Sequence, residues 1–330
     1  MVLIGESNYR LGMPLSRSLP PQDRLRTVEV TDRRTTLGAS TLVLAGALCL
    51  SISAILVKLA GVDAATTAVA RCAIAVVVLA PLAWREKARV RAMSRRGVLW
   101  SIAAGAALGI DYAAWTASIY HVGAGISTVL INVQVVILPA LAFLIDREKV
   151  SRRFLITLPL MLFGISLVGG LWNESLRGPD TFLGVTLGVF AGCGYAVYLF
   201  ITGRGTRGDP GLFAQPLAWA TASAALATIV VSPLSGGIDV TGISPRSWAL
   251  LATLAVVGQV FSWLFIHHGG STLPTTTTSA LLLVQPVLAL GLSALVLSEH
   301  PTQLQLGGAV VVVGSVAIAN GLLFRKRELP

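Results

Sequence analysis

An all-helical, polytopic membrane protein with ten transmembrane helices in two inverted five-helix repeats is the fold class this sequence predicts. Hydrophobic residues make up 54% of the 330 and charged residues only 12%, and the mean hydropathy is +0.77. Soluble domains carry about 25% charged residues, so most of this chain must face something apolar. Apolar stretches of about 20 residues, the length of a bilayer-spanning helix, recur along it. Basic residues gather on one side of that pattern, and part of the first half reappears in the second. The apolar runs are continuous, unlike the alternating segments of about ten residues in a β-barrel. Cys49, Cys72 and Cys193 are odd in number and sit in apolar stretches, which excludes a secreted disulfide scaffold.

Residues 1–36 are polar, carry Arg10, Arg17, Arg24, Arg26, Arg33 and Arg34, and hold the helix-breaking Pro14, Pro20 and Pro21. No apolar core follows the basic start, so the segment reads as a disordered basic cytoplasmic tail and not as a signal peptide. The first repeat (37–172) is expected to span the membrane at 37–60, 64–84, 98–120, 124–145 and 154–172. The second (173–324) is expected to do so at 181–201, 212–234, 248–267, 274–297 and 305–324, with a cytoplasmic tail at 325–330. Ten spans use roughly 200 residues, which leaves only short loops. With the amino terminus inside, the inner segments are the two tails, 85–96, 146–153, 203–211 and 268–273. Of the 25 Lys and Arg, only Lys58, Arg177 and Arg246 fall on the other side, and Arg71 lies within a span. This bias is the positive-inside signature of a multi-pass protein of the cell (inner) membrane, with both termini cytoplasmic. The net charge of +10 is then a record of topology, and no nucleic-acid partner is expected.

Ser-Thr-Val-Leu-Ile-Asn-Val-Gln at 127–134 lies over Thr-Ser-Ala-Leu-Leu-Leu-Val-Gln at 278–285, and the same register pairs Glu148 with Glu299 and Gly170 with Gly321. Earlier in each half, Gly38 meets Gly184 and Lys58 meets Arg204. Because each half has an odd number of spans, the second enters the membrane from the opposite side. Inverted repeats of this kind give secondary transporters two related conformations open to opposite faces.

The Gly- and Ala-rich first span, Arg71 early in the second, the proline-bearing fourth span ending in Asp146, Arg147 and Glu148, and the ninth span ending in Ser298 and Glu299 carry a family likeness. In these features the chain, over roughly 38–324, resembles the EamA-type transporters of the drug/metabolite transporter superfamily. The resemblance implies a ten-helix carrier whose central cavity is lined by the first, third and fourth helices of each half, often exporting amino acids or related metabolites. The sequence departs from the family pattern at Leu217, which stands where a counterpart of Arg71 would be.

An ionisable residue inside a span costs a few kcal/mol, so each needs a role. Arg71 and Asp111 lie about 10 Å and about 14 Å below the outer ends of their spans at 1.5 Å per residue, depths suited to an ion pair. The pair reads either as an ion-coupling or substrate-amine site in which Arg71 tunes Asp111, or as a structural tie between the second and third helices. Trp115 and Ser118 continue the face of Asp111. A carboxylate and a tryptophan on one stripe suit an amphipathic cation, and the other reading makes Trp115 an anchor at the membrane rim. Tyr112 coincides with Trp263 in the repeat register, and Tyr195 with Tyr198 can complete an aromatic wall. Gln134 and Gln285 are repeat-related, while Asn132, Thr128 and Gln259 add polar groups that either line a cavity or bond neighbouring helices. Pro139 and Pro286 each free a carbonyl four residues back, which makes them hinge candidates. His267 and His268 end the eighth span, and Glu148 and Glu299 are placed to fix loop geometry or a gate.

No histidine and cysteine cluster has metal spacing, and no glycine loop or nucleotide-binding segment appears, so no metal, no cofactor and no ATP-driven step is expected. The expected partners are a small-molecule substrate and the lipid bilayer, with proton or counter-substrate coupling. The chain is a monomer or a homodimer, according to whether Gly188, Gly192 and Gly194 pack within the bundle or between chains. The competing class, an intramembrane enzyme acting on a lipid or isoprenoid, would cluster several carboxylates or histidines at one membrane face.

Overall fold

The computed structural model describes residues 21–147, 152–168, 172, 178–273, 275–282 and 284–319; Glu148, residues 1–20 and the tail 325–330 lie outside them. The described residues form helices and their connections, with no strand among them. That is what a bilayer demands of a chain whose backbone must satisfy its own hydrogen bonds. Among the described residues, seven helices are long and apolar enough to cross a membrane: Thr36–Ala60, Ala64–Arg89, Arg95–Val122, Ala124–Asp146, Pro179–Gly205, Ala214–Ser235 and Pro245–Gly270. Shorter apolar helices, Leu155–Val168, Val284–Leu297 and Gln303–Ile318, stand where the fifth, ninth and tenth spans were expected. Side chains such as Leu37, Val77, Trp84, Leu144, Ile156, Val230 and Leu295 point outward from the bundle, as lipid-facing groups do.

Helix α1 runs from Pro21 to Ala60. The segment read as a disordered tail is therefore helical from Pro21 onward. Helix α2 (Ala64–Arg89) begins on Asp63, whose carboxylate accepts the Thr66 N–H at 2.8 Å. Helix α3 (Arg95–Val122) begins on Ser94 and stops at Gly123, whose φ of 89° favours glycine. Helix α4 (Ala124–Leu130) passes through a 3₁₀ turn at Ile131–Val133 into α5 (Gln134–Asp146), and α6 covers Arg152–Val168. In the second half α7 is Pro179–Gly208 and α8 is Ala214–Val231. Helix α9 (Pro245–Ala255) leads through a π-helical stretch, Val256–Phe261, into α10 (Ser262–Gly270). Helices α11 (Thr275–Leu282), α12 (Val284–Leu297) and α13 (Gln303–Ala319) complete the bundle.

Small residues let α3 lie close against its neighbours. A Cβ on Gly105 would collide with the Ala220 carbonyl of α8, and one on Gly109 would meet Ala224 oxygen at 2.5 Å. On α7, Gly188, Gly192 and Gly194 face inward, against Ser118 and Leu130, Ile131 and Val133, and Asp111 respectively. These glycines therefore serve packing within the bundle.

Carboxylates reach across the bundle to cap helices at both ends. At the end carrying the basic loops, Glu86 accepts the N–H groups of Phe213 (2.8 Å), Ala214 (3.0 Å) and Gln215 (2.8 Å) at the start of α8. Asp209, just before α8, accepts from the Ser94 hydroxyl at 2.6 Å and from Arg91 at 2.8 Å. The Gln215 side chain joins the two by accepting from Met93 N–H (3.0 Å) and donating to the Arg91 carbonyl (2.8 Å). At the opposite end Glu299 accepts the N–H groups of Ala124 (2.8 Å) and Gly125 (3.2 Å), capping α4. There Tyr120 donates to the Val57 carbonyl at 3.0 Å, and Lys58 to the Ile119 carbonyl at 3.3 Å. A carboxylate on a helix N-terminus satisfies orphan donors and meets the positive end of the dipole.

Burial pushes the Asp209 carboxyl up, but hydrogen bonds from Ser94 and Arg91 outweigh it and hold the group below the usual carboxylate range. A group whose folded pKa is lowered stabilises the fold above its unfolded value, near 4, and loses that contribution as pH falls through the folded value. Melting of the detergent-solubilised protein followed from pH 7 downward is therefore expected to drop through this acidic window. Asp209→Asn is expected to melt lower at pH 7 by roughly 2–4 °C and to show a shallower acid loss. Overpacking the helix seam provides a second check. Gly105→Val is expected to destabilise by about 1–3 kcal/mol in a thermal melt, whereas Gly38→Ala, which would meet nothing within 4 Å, leaves the melt unchanged.

Candidate functional site

A small cavity lies in the middle of the bundle. Its wall is Leu50 and Ser53 from α1, Arg71 from α2, Asp111, Tyr112 and Trp115 from α3, Ile131, Asn132 and Gln134 around the 3₁₀ turn, Tyr195 from α7, Trp263 from α10 and Gln285 from α12. Its room, about 40 Å³, is that of a water or two. Both halves of the chain contribute, and repeat-related residues face each other. Trp263 Nε1–H donates to the Tyr112 hydroxyl at 3.1 Å, and Gln134 and Gln285 both reach the wall.

Arg71 is 1% exposed and deep in the bundle. Its guanidinium lies 3.9 Å from the Tyr112 ring centroid and 5.5 Å from that of Trp115, and Nη2 donates to the Gly258 carbonyl at 2.9 Å. That carbonyl belongs to the π-helical stretch and also accepts the Ser262 hydroxyl at 2.9 Å. A desolvated cation over an aromatic face gains about 2 kcal/mol, which offsets part of the burial penalty. The direct ion pair expected between Arg71 and Asp111 is absent: among the described residues the ion pairs are Arg91 with Asp209, His121 with Asp180, and Arg204 with Asp146. The Tyr112 face and the Gly258 carbonyl take the guanidinium instead, and the Arg71 and Asp111 side chains both line the cavity with no ion pair between them.

Five buried polar atoms without a partner belong to residues that line this cavity. Arg71 Nε and Nη1 and Trp115 Nε1 are donors without a protein partner, and Asp111 Oδ1 and Gln134 Oε1 are acceptors without one. Each such buried group left unsatisfied costs about 1–3 kcal/mol. One cavity thus presents both unengaged donors and unengaged acceptors among aromatic rings. Tyr195 stands 5.8 Å from Trp263 edge to face, and Tyr198 stacks on Tyr195 from behind.

Gln259 takes the interhelical one of its two readings and not the cavity one. It is fully buried behind the wall, where Nε2 donates to Thr221 at 3.1 Å and Oε1 accepts the Tyr112 hydroxyl. The chain Trp263, Tyr112, Gln259, Thr221 therefore ties α10, α3, the π stretch and α8 together and fixes the ring beneath Arg71. Asn132 lines the cavity, but its amide nitrogen donates to Thr128 and Val129 carbonyls at 2.9 and 3.3 Å, next to the 3₁₀ break. Trp115 is 5% exposed inside the core, so the rim-anchor reading gives way to a buried wall. Pro139 and Pro286 sit inside α5 and α12, outside the cavity wall. His267 packs on Trp263 and His268 on Phe213, both by ring contact. Leu50, Ser53 and Ile131 went unselected in the sequence because nothing in their residue types marks them. The Gly258 carbonyl carries no side-chain signal at all.

The EamA-like transporter family profile matches residues 37–170 and again 182–321. A solved crystal structure, 16% identical, aligns over 88% of this chain and 99% of its own with a TM-score of 0.58, a likeness of fold. The search of curated proteins returns no match.

If Gln259 holds Tyr112 in place, Gln259→Leu takes from the Tyr112 hydroxyl its acceptor and from Thr221 its Gln259 donor, and a loss of about 1–3 kcal/mol is expected in a denaturation experiment. Adding Tyr112→Phe to it should cost less than the two single changes summed, with a coupling of at least about 0.5 kcal/mol.

Proposed function

The chain belongs to the EamA-like transporter family, and on that premise we propose that it moves a small polar or amphipathic metabolite, an amino acid or related compound, outward across the cell membrane by alternating access. The observation that carries this reading is the convergence of unpartnered donors and acceptors on one central cavity built by both halves. A ligand carboxylate would meet Arg71 and the Trp115 N–H, and a ligand amine would meet Asp111 and Gln134, with Tyr112, Tyr195 and Trp263 flanking its apolar part. The same reading makes the protein a carrier and not an enzyme.

Ten spans in two inverted halves, 37–172 and 173–324, with the tails 1–36 and 325–330 cytoplasmic, form the proposed architecture. The bias of basic residues to one side supports that orientation. Pro139 and Pro286 are the proposed bending points, close to Gln134 and Gln285. With no nucleotide-binding segment, transport would draw on a proton gradient, on exchange with a counter-substrate, or on the substrate's own gradient. Asp111 is the group proposed to couple, as the acidic side chain of the cavity wall.

The cavity is too small in this state for an amino acid, so binding requires the bundle to open, as alternating access does. Purified protein in liposomes is expected to show counterflow of at least one amino acid or related metabolite, and none across a broad panel would count heavily against a carrier. Asp111→Asn is expected to slow that counterflow by about tenfold or more, a barrier increase of about 1.4 kcal/mol. A near wild-type rate would remove Asp111 from the mechanism.

A further inference from the structure

A second recess lies away from the central cavity, at the end of the bundle that carries the basic loops. It opens between the start of α3 and the end of α7, with a volume of about 450 Å³, and its wall includes Arg96, Gly97, Trp100, Arg204 and Gly208. Glycine makes the space. Gly205 packs so closely on Trp100 that an added Cβ would lie 2.9 Å from it, while Gly208 has nothing within 4 Å of that position.

The charge in this recess is positive and partly unanswered. Arg204 is held over the Phe200 ring at 4.0 Å and paired with Asp146. Asp209 nearby is engaged by Ser94 and Arg91. Arg96 is exposed and pairs with no carboxylate among the described residues. The flank of the recess is apolar: Leu99 is 67% exposed beside it, and Ala103 is exposed one turn further along α3. A half-buried tryptophan at the boundary between apolar helix and charged loop is the usual mark of the headgroup level.

We propose that this recess holds the phosphate of an anionic glycerophospholipid, gripped by Arg96 and Arg204, with Trp100 at the glycerol level and an acyl chain along Leu99 and Ala103. Basic pockets between helices at the cytoplasmic leaflet suit such headgroups, because that leaflet is negatively charged. A free phosphate would use the arginines but not the apolar flank, and that difference favours a lipid. The site owes nothing to the transport cavity. It rests only on the reading that the basic end faces the cytoplasmic leaflet.

The test uses the full chain, purified in detergent and incubated with palmitoyl-oleoyl-phosphatidylglycerol or the matching phosphatidylcholine, with retained lipid counted by native mass spectrometry. Wild type is expected to retain phosphatidylglycerol in preference to phosphatidylcholine. Arg96→Gln is expected to lower that retention about fivefold, and Arg89→Gln, an exposed arginine on α2 outside the recess, to leave it unchanged. Arg204→Gln should act in the same direction, and because it also breaks the contact with Asp146, the Arg96 variant decides the outcome. Equal retention of the two lipids, or no change in Arg96→Gln, would overturn the proposal. So would an equal loss in Arg89→Gln, which means diffuse surface charge, or full displacement by millimolar inorganic phosphate, which means a free-anion site.

Discussion

The centre of this bundle is organised around one buried cation. Removing a guanidinium from water is expensive, and Arg71 is tolerated because three features meet at it: the face of Tyr112, the Gly258 carbonyl and a cavity that keeps polar groups close. None of these stands alone. The Gly258 carbonyl lies in the π turn, and Tyr112 is held in place because Gln259 and Trp263 grip its hydroxyl. Gln259 is itself anchored on Thr221 of α8. A charge on α2 thus dictates the local geometry of α3, α8 and the segment joining α9 to α10. The second half, with buried Leu217 at the matching place, has no such centre, so the two halves are related in sequence and differ in chemistry.

Much of the outline was legible in the sequence because it rests on composition and periodicity. Scarce charge announced the bilayer, and the recurrence around 127–134 and 278–285 announced the two repeats that the family match finds. Burial cost singled out Arg71 and Asp111, and the repeat register brought Tyr112 and Trp263 together, which the fold does through a hydrogen bond. What stayed hidden depends on backbone or on contacts across the bundle. A π turn has no residue signature, and the partner of Arg71 is a main-chain oxygen. The sequence left Gln259 open between the cavity and a neighbouring helix, because it gives depth along a helix but not rotation about its axis.

The ends of the bundle escaped for a related reason. Glu86 and Asp209 are ordinary loop carboxylates in the sequence, with the helices they cap more than a hundred residues away. Glu299, expected to fix loop geometry or a gate, is seated on the first N–H groups of α4. At each end a carboxylate from one half closes a helix of the other. The halves are thus sewn together through helix termini, where an acidic side chain finds unsatisfied donors in any fold.

The tightness of the central cavity has an energetic corollary. With room for little more than water, a larger guest can enter only molecules that have already swollen, and its observed affinity is its intrinsic affinity scaled by the fraction of such molecules. The helix seam at Gly105 and Ala220 and the caps at both ends set that fraction as firmly as the residues that touch the guest. Stiffness of the scaffold is then itself a determinant of selectivity. A snug resting state taxes every guest equally, and only one that engages both the orphaned donors and the orphaned acceptors recovers enough to be held.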